Sequence, residues 1–270
     1  VLASRKRLLG ERQVVSPVDG VFFDVVNGRI AIQPTSDWLE LRALVAGRVV
    51  SYVSNRGVMI ETSGSLIQAV WGSGREGVGQ LKIVANAPTA VLSPEHLNMD
   101  VTVQVLAIGT LNNLELFHRA EDLGVRGLIV GSASAELCRA SRESPLPLIV
   151  TDGVGGGGMS APIFHLLQQA DGRSVSLFGD YSVEAGQRPE IILPQAAALG
   201  LYAVKVKKTL EPGQLVRILG KTKTVQVGTI KHIYNRLQPT AVGMKVPGAD
   251  IELPDGQTIF VPIANLDVIA

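Results

Sequence analysis

Four strand signals separated by three helix signals lie between residues 101 and 182, and this alternation constrains the fold more than any other feature of the chain. The strand signals are short, β-branched and almost continuously apolar, as in parallel strands buried on both faces. They read TVQVLAIG (102–109), RGLIVGS (126–132), PLPLIVTDG (145–153) and RSVSLFGDY (173–181). The pattern predicts a four-stranded, mainly parallel α/β layer with right-handed crossovers.

The length and composition are those of a globular protein with more than one domain. With 270 residues, the chain can bury two or three separate cores. Its apolar content of 46% and net charge of +1 separate it from disordered chains and from strongly basic nucleic-acid-coating proteins. The single cysteine, Cys138, cannot form an internal disulfide, so we expect a small buried residue there and a cytoplasmic protein.

The first residues leave two alternatives for what precedes the chain. No run reaches the roughly 18 apolar residues that a membrane-spanning helix needs. Val1 is followed closely by Arg5, Lys6 and Arg7, which would suit the cytoplasmic flank of a lost membrane anchor and would place the protein at a membrane surface. The other alternative is a trimmed disordered start.

Residues 14–84 show an all-β pattern that contains an internal repeat. Short apolar runs alternate with turn residues such as Asn27 and Gly28. The phrases SPVDGVFFDV (16–25) and ALVAGRVVSYV (43–53) each contain a glycine followed by alternating apolar positions, about 27 residues apart. The repeat predicts two interlocked β-hairpin units that share one core.

This repeat, together with GRIAIQPTS, RGVMIET and LIQAVWG, resembles the duplicated hybrid motif, or barrel-sandwich hybrid, of phosphocarrier and lipoyl-like domains. The resemblance implies that fold, but this chain lacks the reactive residues. Arg56 and Val70 stand where the phosphocarrier has histidines, which are needed to pass a phosphoryl group. No lysine occurs in residues 14–79 to carry a lipoyl or biotinyl group, and no histidine precedes His96 to bind a metal.

A binding or spacing module is what remains for this N-terminal region. Trp38 and Trp71 are its largest side chains. They would either form an aromatic patch on the surface or pack in the core, and the sequence leaves both open.

The helix signals between the central strands have clear boundaries. Asn112 or Asn113 can cap a first helix in LNNLELFHRAEDLGV, and Gly124 ends it. ASAELCRASRES predicts a short second helix and APIFHLLQQA a third. We expect His118 and His165 on these helices to be surface or packing residues rather than catalytic ones.

The glycine run DGVGGGGMSAP (152–162) is the one feature of this layer that suggests a ligand. Backbone N–H groups in such a loop can approach an anion, and the N-terminus of the following helix adds positive potential. The run contains a GxGxxG spacing, although it follows the third strand rather than the first. One hypothesis is anion or nucleotide binding with Asp152 outside the site, and the alternative is a flexible surface loop. The residues of the hypothesis are Gly153, Gly155, Gly156, Gly157, Gly158 and Ser160.

From residue 210 onward the chain shows five or six short strands with Pro-Gly and Pro-Asp-Gly turns. PGQLVRI, VGTI and ADIELPDGQTIFVPIANLDVI resemble a KOW-type SH3-like barrel, a fold whose members bind RNA, ribosomes or transcription factors. Residues 201–270 carry nine Lys or Arg against five Asp or Glu, so RNA is one alternative partner. The residues of this hypothesis are Lys221, Lys223, Lys231, Tyr234 and Arg236.

Together these patterns predict a multidomain protein, mixed α/β and all-β. We expect a barrel-sandwich hybrid in residues 1–85, an α/β domain that resembles swivelling and protease-associated domains in residues 101–183, and a KOW-like barrel in residues 205–270. The expected function is that of a non-enzymatic scaffold or adaptor that binds protein partners, without catalytic residues, cofactor or metal. RNA or ribosome association and anion or nucleotide binding are the two alternatives.

Overall fold

The protein has a mixed, β-rich fold with three α-helices in the part of the chain that the structure describes. The structure is a computed structural model that describes residues 3–7, 10–35, 41–54, 56–84, 86–182, 187–194, 210–219, 226–240 and 242–268. The chain divides into two compact units, Val1–Ala43 and Leu44–Ala270.

The first unit consists of two antiparallel hairpins. Its strands are β1 (Ala3–Arg7), β2 (Gly10–Val14), β3 (Gly20–Val26) and β4 (Arg29–Pro34). Asn27 and Gly28 connect β3 to β4, with φ angles of 53° and 74°. Positive φ at both loop residues is what a tight two-residue hairpin turn requires, so the turn predicted from Asn-Gly is confirmed.

The second unit contains a large sheet, three helices and a smaller sheet. Its first ten strands are β5 (Arg48–Val53), β6 (Gly57–Glu61), β7 (Gly64–Gln68), β8 (Trp71–Gly72), β9 (Glu76–Ile83), β10 (Gln104–Leu111), β11 (Gly127–Ala133), β12 (Leu148–Val154), β13 (Ser174–Phe178) and β14 (Glu190–Pro194). The helices are α1 (Leu114–Asp122), α2 (Ala135–Ala140) and α3 (Ala161–Gln169), and 3₁₀ turns span Pro94–His96, Met99–Val101 and Ile263–Asn265. The remaining strands are β15 (Leu215–Ile218), β16 (Gln226–Ile233), β17 (Gln238–Pro239), β18 (Lys245–Val246), β19 (Gly248–Glu252), β20 (Thr258–Pro262) and β21 (Leu266–Val268).

The large sheet has eight described strands in the order β7-β14-β13-β9-β10-β11-β12-β8. Strands β9 to β12 are mutually parallel, and the other neighbours are antiparallel. The sheet is therefore larger than the predicted four-stranded layer, and β13 lies beside β9 in antiparallel orientation instead of extending the parallel set. The reason is that β7, β8 and β9 precede the predicted boundary at residue 85 but pair with strands that follow it.

The two edge strands of this sheet, β7 and β8, are consecutive along the chain. Only Ala69 and Val70 separate β7 from β8. The Ala69 N–H donates to Pro189 O at 2.8 Å, beside β14, and the Val70 N–H donates to Val150 O of β12 at 3.0 Å. Because consecutive Cα atoms are about 3.8 Å apart, the two intervening residues keep the edge strands β7 and β8 close together in space. The sheet therefore closes on itself here, and we call residues 68–70 the seam.

The central strands are buried on both faces, as predicted. Leu106, Leu128 and Leu148 belong to the apolar cluster that includes Phe117 of α1 and Leu137 of α2. The intervening residues on the opposite faces belong to a second cluster that includes Phe164 and Leu167 of α3; they are Val105, Ala107, Ile129 and Ile149. The period of two along each strand thus sends alternate side chains into two separate cores.

The first helix has the predicted ends. Asn113 Oδ1 accepts hydrogen bonds from the N–H groups of Glu115 at 2.8 Å and Leu116 at 3.2 Å. These bonds satisfy two of the amides that have no partner within the helix. Gly124 follows the helix with a φ of 74°, which a residue with a Cβ rarely adopts.

The C-terminal sheet is formed by β15, β16, β19 and β20 paired in chain order, with β21 returning beside β15. Its core contains Val216, Ile230 and Ile251. The short ribbon of β17 and β18 lies in the connection between β16 and β19.

Candidate functional site

Buried hydroxyl groups lie at the carboxyl ends of the parallel strands, the edge at which α/β proteins commonly bind ligands. Thr110 and Ser132 are the last residues but one of β10 and β11, and Thr151 lies three residues before the end of β12. Each is no more than 6% exposed. The hydroxyls of Thr110 and Ser132 lie 3.2 Å apart. This edge therefore offers hydrogen-bonding groups in a site that excludes water.

The glycine run 152–162, which we call the glycine loop, packs over this edge of the sheet. The Gly158 N–H donates to Ser132 Oγ at 3.1 Å, and the Met159 N–H donates to Pro88 O at 2.7 Å. A Cβ on Gly131 of β11 would overlap the backbone of Gly158 and Met159. A glycine is thus needed at residue 131 because the loop backbone lies directly against the strand.

The position at the N-terminus of α3 is taken by a carboxylate of the chain itself. Asp152 Oδ2 accepts the Ser160 N–H at 3.1 Å and the Thr151 hydroxyl at 2.6 Å. A negative charge is favourable there because the first amides of a helix carry partial positive charge. The expectation that Asp152 lies outside the site is therefore wrong, because its carboxylate accepts the Ser160 N–H at the start of α3.

The six residues of the anion-binding hypothesis divide into a packed end and an open end. Gly158 and Ser160 are buried, and the Ser160 hydroxyl has no hydrogen-bond partner among the described residues. A Cβ on Gly153, Gly155 or Gly156 would meet no atom within 4 Å, and Gly157 is half-buried. The loop amides of residues 155, 158, 159 and 160 donate to protein atoms instead of facing an anion. Anion binding at the loop stays a prediction.

Arg217 of β15 reaches this edge from the C-terminal sheet. It is 1% exposed. Its Nη1 donates to Asp152 Oδ1 at 3.0 Å and to Thr151 O at 2.8 Å. Its Nη2 donates to Gln68 O at 3.0 Å and to the carboxylate of Asp267 in β21. One guanidinium therefore joins β12, β7 and β21.

Arg188 completes the arrangement at the seam. Its Nε donates to Ala69 O at 3.1 Å, and its Nη1 lies 3.5 Å from Asp267 Oδ1. Two arginines thus bond the carbonyls of adjacent seam residues, Gln68 and Ala69. We call Asp152, Arg217, Asp267 and Arg188 the seam network; it alternates in sign and sums to zero charge, as buried ionic groups must be paired to be tolerated.

Sequence reasoning missed the seam network. Arg217 was counted only as one of nine basic residues in the C-terminal region. The available signal was its position inside LVRI, where a charge interrupts a strand of apolar residues. An interior charge in such a strand indicates a buried partner, but nothing in the sequence indicates that the partner is Asp152.

The described residues of the RNA hypothesis are largely paired with acids. Lys231 Nζ lies 2.7 Å from Glu252 Oε2. The Tyr234 hydroxyl donates to Asp250 Oδ2 at 2.7 Å, and this hydrogen bond raises the pKa of Tyr234. Arg236 is exposed. Lys221 and Lys223 lie outside the described residues, so the RNA hypothesis stays a prediction.

The remaining candidate residues are surface or packing groups. His118 and His165 are exposed, with Glu121 3.7 Å from His118 Nδ1 and Gln168 3.2 Å from His165 Nδ1. Trp71 is half-buried against the cluster of α1 and α2, with the Arg142 guanidinium 5.9 Å from its ring centroid. Trp38 lies outside the described residues.

In the described ranges, no three His, Cys, Asp or Glu side chains are grouped so that they could hold a metal ion. None of the helices in those ranges has the length and apolarity needed to cross a bilayer.

Comparisons with protein-family models, curated proteins and solved structures found no match to this chain.

Proposed function

We propose that the chain is a non-enzymatic scaffold or adaptor whose β-rich modules bind protein partners. The observation that carries this proposal is the exposed apolar surface of the hairpin formed by β5 and β6. Tyr52 is 83% exposed and Val58, its direct neighbour across the hairpin, is 48% exposed. A two-stranded hairpin is marginally stable by itself, and an exposed apolar patch commonly marks a protein interaction site.

The hairpin of β3 and β4 repeats this arrangement in the first unit. Phe22 and Phe23 are 58% and 72% exposed. The register shifts after Phe22 in β3 and after Val49 in β5, which are 27 positions apart. A Cβ on Gly20 or on Gly47 would meet the carbonyl oxygen of the opposite strand in each hairpin. This repetition supports the proposal that both derive from the duplicated hairpin of a barrel-sandwich hybrid.

The other two modules are proposed to position these surfaces. The order of β15, β16, β19 and β20, with β21 beside β15, supports an SH3-like barrel. The parallel strands β10 to β12 with helices on both faces support a swivelling-like α/β domain. The seam network ties these two modules together with buried charges, which favours a rigid spacer over a pair of independently moving domains.

Site-specific photo-crosslinking tests the adaptor proposal. A benzoylphenylalanine replaces Tyr52 in the full chain, in cells that naturally contain the protein, and a control replaces the exposed Arg139 of α2. We expect discrete protein adducts from residue 52 that disappear when Val58→Lys is added, because the lysine shares the face of residue 52. Equal adducts at residues 52 and 139, or adducts that survive Val58→Lys, would contradict the proposal.

A further inference from the structure

The outer face of the C-terminal sheet carries a row of aromatic and acidic side chains. His232 of β16 pairs with Asp250 of β19, which pairs with Phe260 of β20. Directly paired residues share a face. Ala249 and Ile251, on either side of Asp250, are buried in the core, so this row lies on the opposite face.

Tyr234 joins the row at its end. Its ring centroid lies 4.8 Å from that of His232 and 6.0 Å from that of Phe260, with interplanar angles of 85° and 62°. The Tyr234 hydroxyl donates to Asp250 Oδ2 at 2.7 Å. His232 is exposed, and the other three are half-buried. We call His232, Tyr234, Asp250 and Phe260 the aromatic face.

The charge on this face is unbalanced. Asp250 forms no salt bridge with any described residue, whereas the neighbouring Glu252 is 2.7 Å from Lys231. The hydrogen bond to Asp250 raises the pKa of Tyr234, so this phenol remains neutral and a donor at physiological pH. A half-buried carboxylate among aromatic side chains attracts a cation, because the carboxylate supplies the charge and the rings can be stacked upon.

We propose that the aromatic face binds an arginine side chain of a protein partner. A guanidinium is planar, so it stacks on an aromatic ring and at the same time donates N–H groups to a carboxylate. RNA is disfavoured here, because its phosphates would approach the charge of Asp250. This inference rests on the proposed adaptor function in one respect, which is that the arginine belongs to a protein partner.

The test is a titration of the isotopically labelled full chain with the peptide acetyl-Gly-Arg-Gly-amide, followed by NMR. We expect chemical-shift changes centred on the aromatic face, with affinity reduced about five-fold or more by Asp250→Asn and by citrulline in place of arginine. Asp255→Asn removes the same charge from an exposed turn of the same sheet and should leave the affinity unchanged.

Three results would overturn the inference. They are shift changes centred elsewhere, equal affinity in wild type and Asp250→Asn, and tighter binding of an oligouridine to the same four residues. The Val58→Lys variant separates this inference from the adaptor proposal, because it should remove the crosslinks at residue 52 and leave peptide binding intact.

Discussion

The guanidinium of Arg217 and the carboxylate of Asp152 form a buried ion pair at 3.0 Å, with side chains 2% and 1% exposed. The two residues belong to different sheets, β15 and β12. Asp152 also accepts a hydrogen bond from the N–H of Ser160, the residue that precedes α3. The pair therefore couples the C-terminal sheet to the helix that follows the glycine loop.

Replacing Asp152 should create the anion site that this carboxylate now fills. In Asp152→Ala, the Ser160 N–H loses its acceptor and the Arg217 guanidinium loses one of its two carboxylate partners, so we expect a lower melting temperature that formate or phosphate partly restores. Wild type should show no such stabilisation, because its own carboxylate occupies the position. Comparable stabilisation of wild type by phosphate, ATP or NAD would instead support anion binding at the glycine loop.

The glycine at residue 131 should tolerate no side chain. Gly131→Ala places a methyl group against the backbone of Gly158 and Met159, so we expect a loss of about 1–3 kcal/mol or more in the free energy of unfolding. Gly153→Ala is the matched control, since its Cβ meets no atom within 4 Å. Urea unfolding of both variants measures the difference, and equal losses would show that the loop is not packed on β11.

The thiol of Cys138 should remain protonated well above neutral pH. It is 5% exposed, and burial raises its pKa from 9.0 to about 11, against a smaller lowering effect of Arg142. Since the folded state holds the neutral thiol, its contribution to stability is complete below about pH 9 and is lost as the pH rises toward 11. Stability measured against pH in wild type and Cys138→Ala tests this, and identical alkaline slopes would contradict it.

Local patterns predicted the central elements well because they act over a few residues. The apolar strands, the Asn113 cap and the Asn27-Gly28 turn all follow from short-range geometry. The closure of the sheet did not, because β7 and β8 read as strands of a small barrel. Their partners β14 and β12 lie far away in sequence, and no local property of LIQAVWG specifies them.

The sequence predicted where the candidate site lies but not which group occupies it. The glycine run does lie at the end of a parallel strand and before a helix, as its composition indicated. Gly158 of this run and Gly131 of β11 serve close backbone packing, and the anion beside the helix is Asp152. A sequence cannot distinguish a loop that receives a ligand from one that receives a side chain of its own chain.

The most direct test of the seam network is a double-mutant cycle between Arg217→Met and Asp152→Asn, measured by urea unfolding of the full chain. Arg217→Met should cost about 3–5 kcal/mol, because it leaves the buried carboxylate of Asp152 without its ion-pair partner, whereas Lys231→Met at the exposed pair with Glu252 should cost less than about 1 kcal/mol. We expect the double variant to lose at least about 1 kcal/mol less than the sum of the single losses. Additive losses, or equal small losses for Arg217→Met and Lys231→Met, would contradict the conclusion that this buried pair holds the two sheets together.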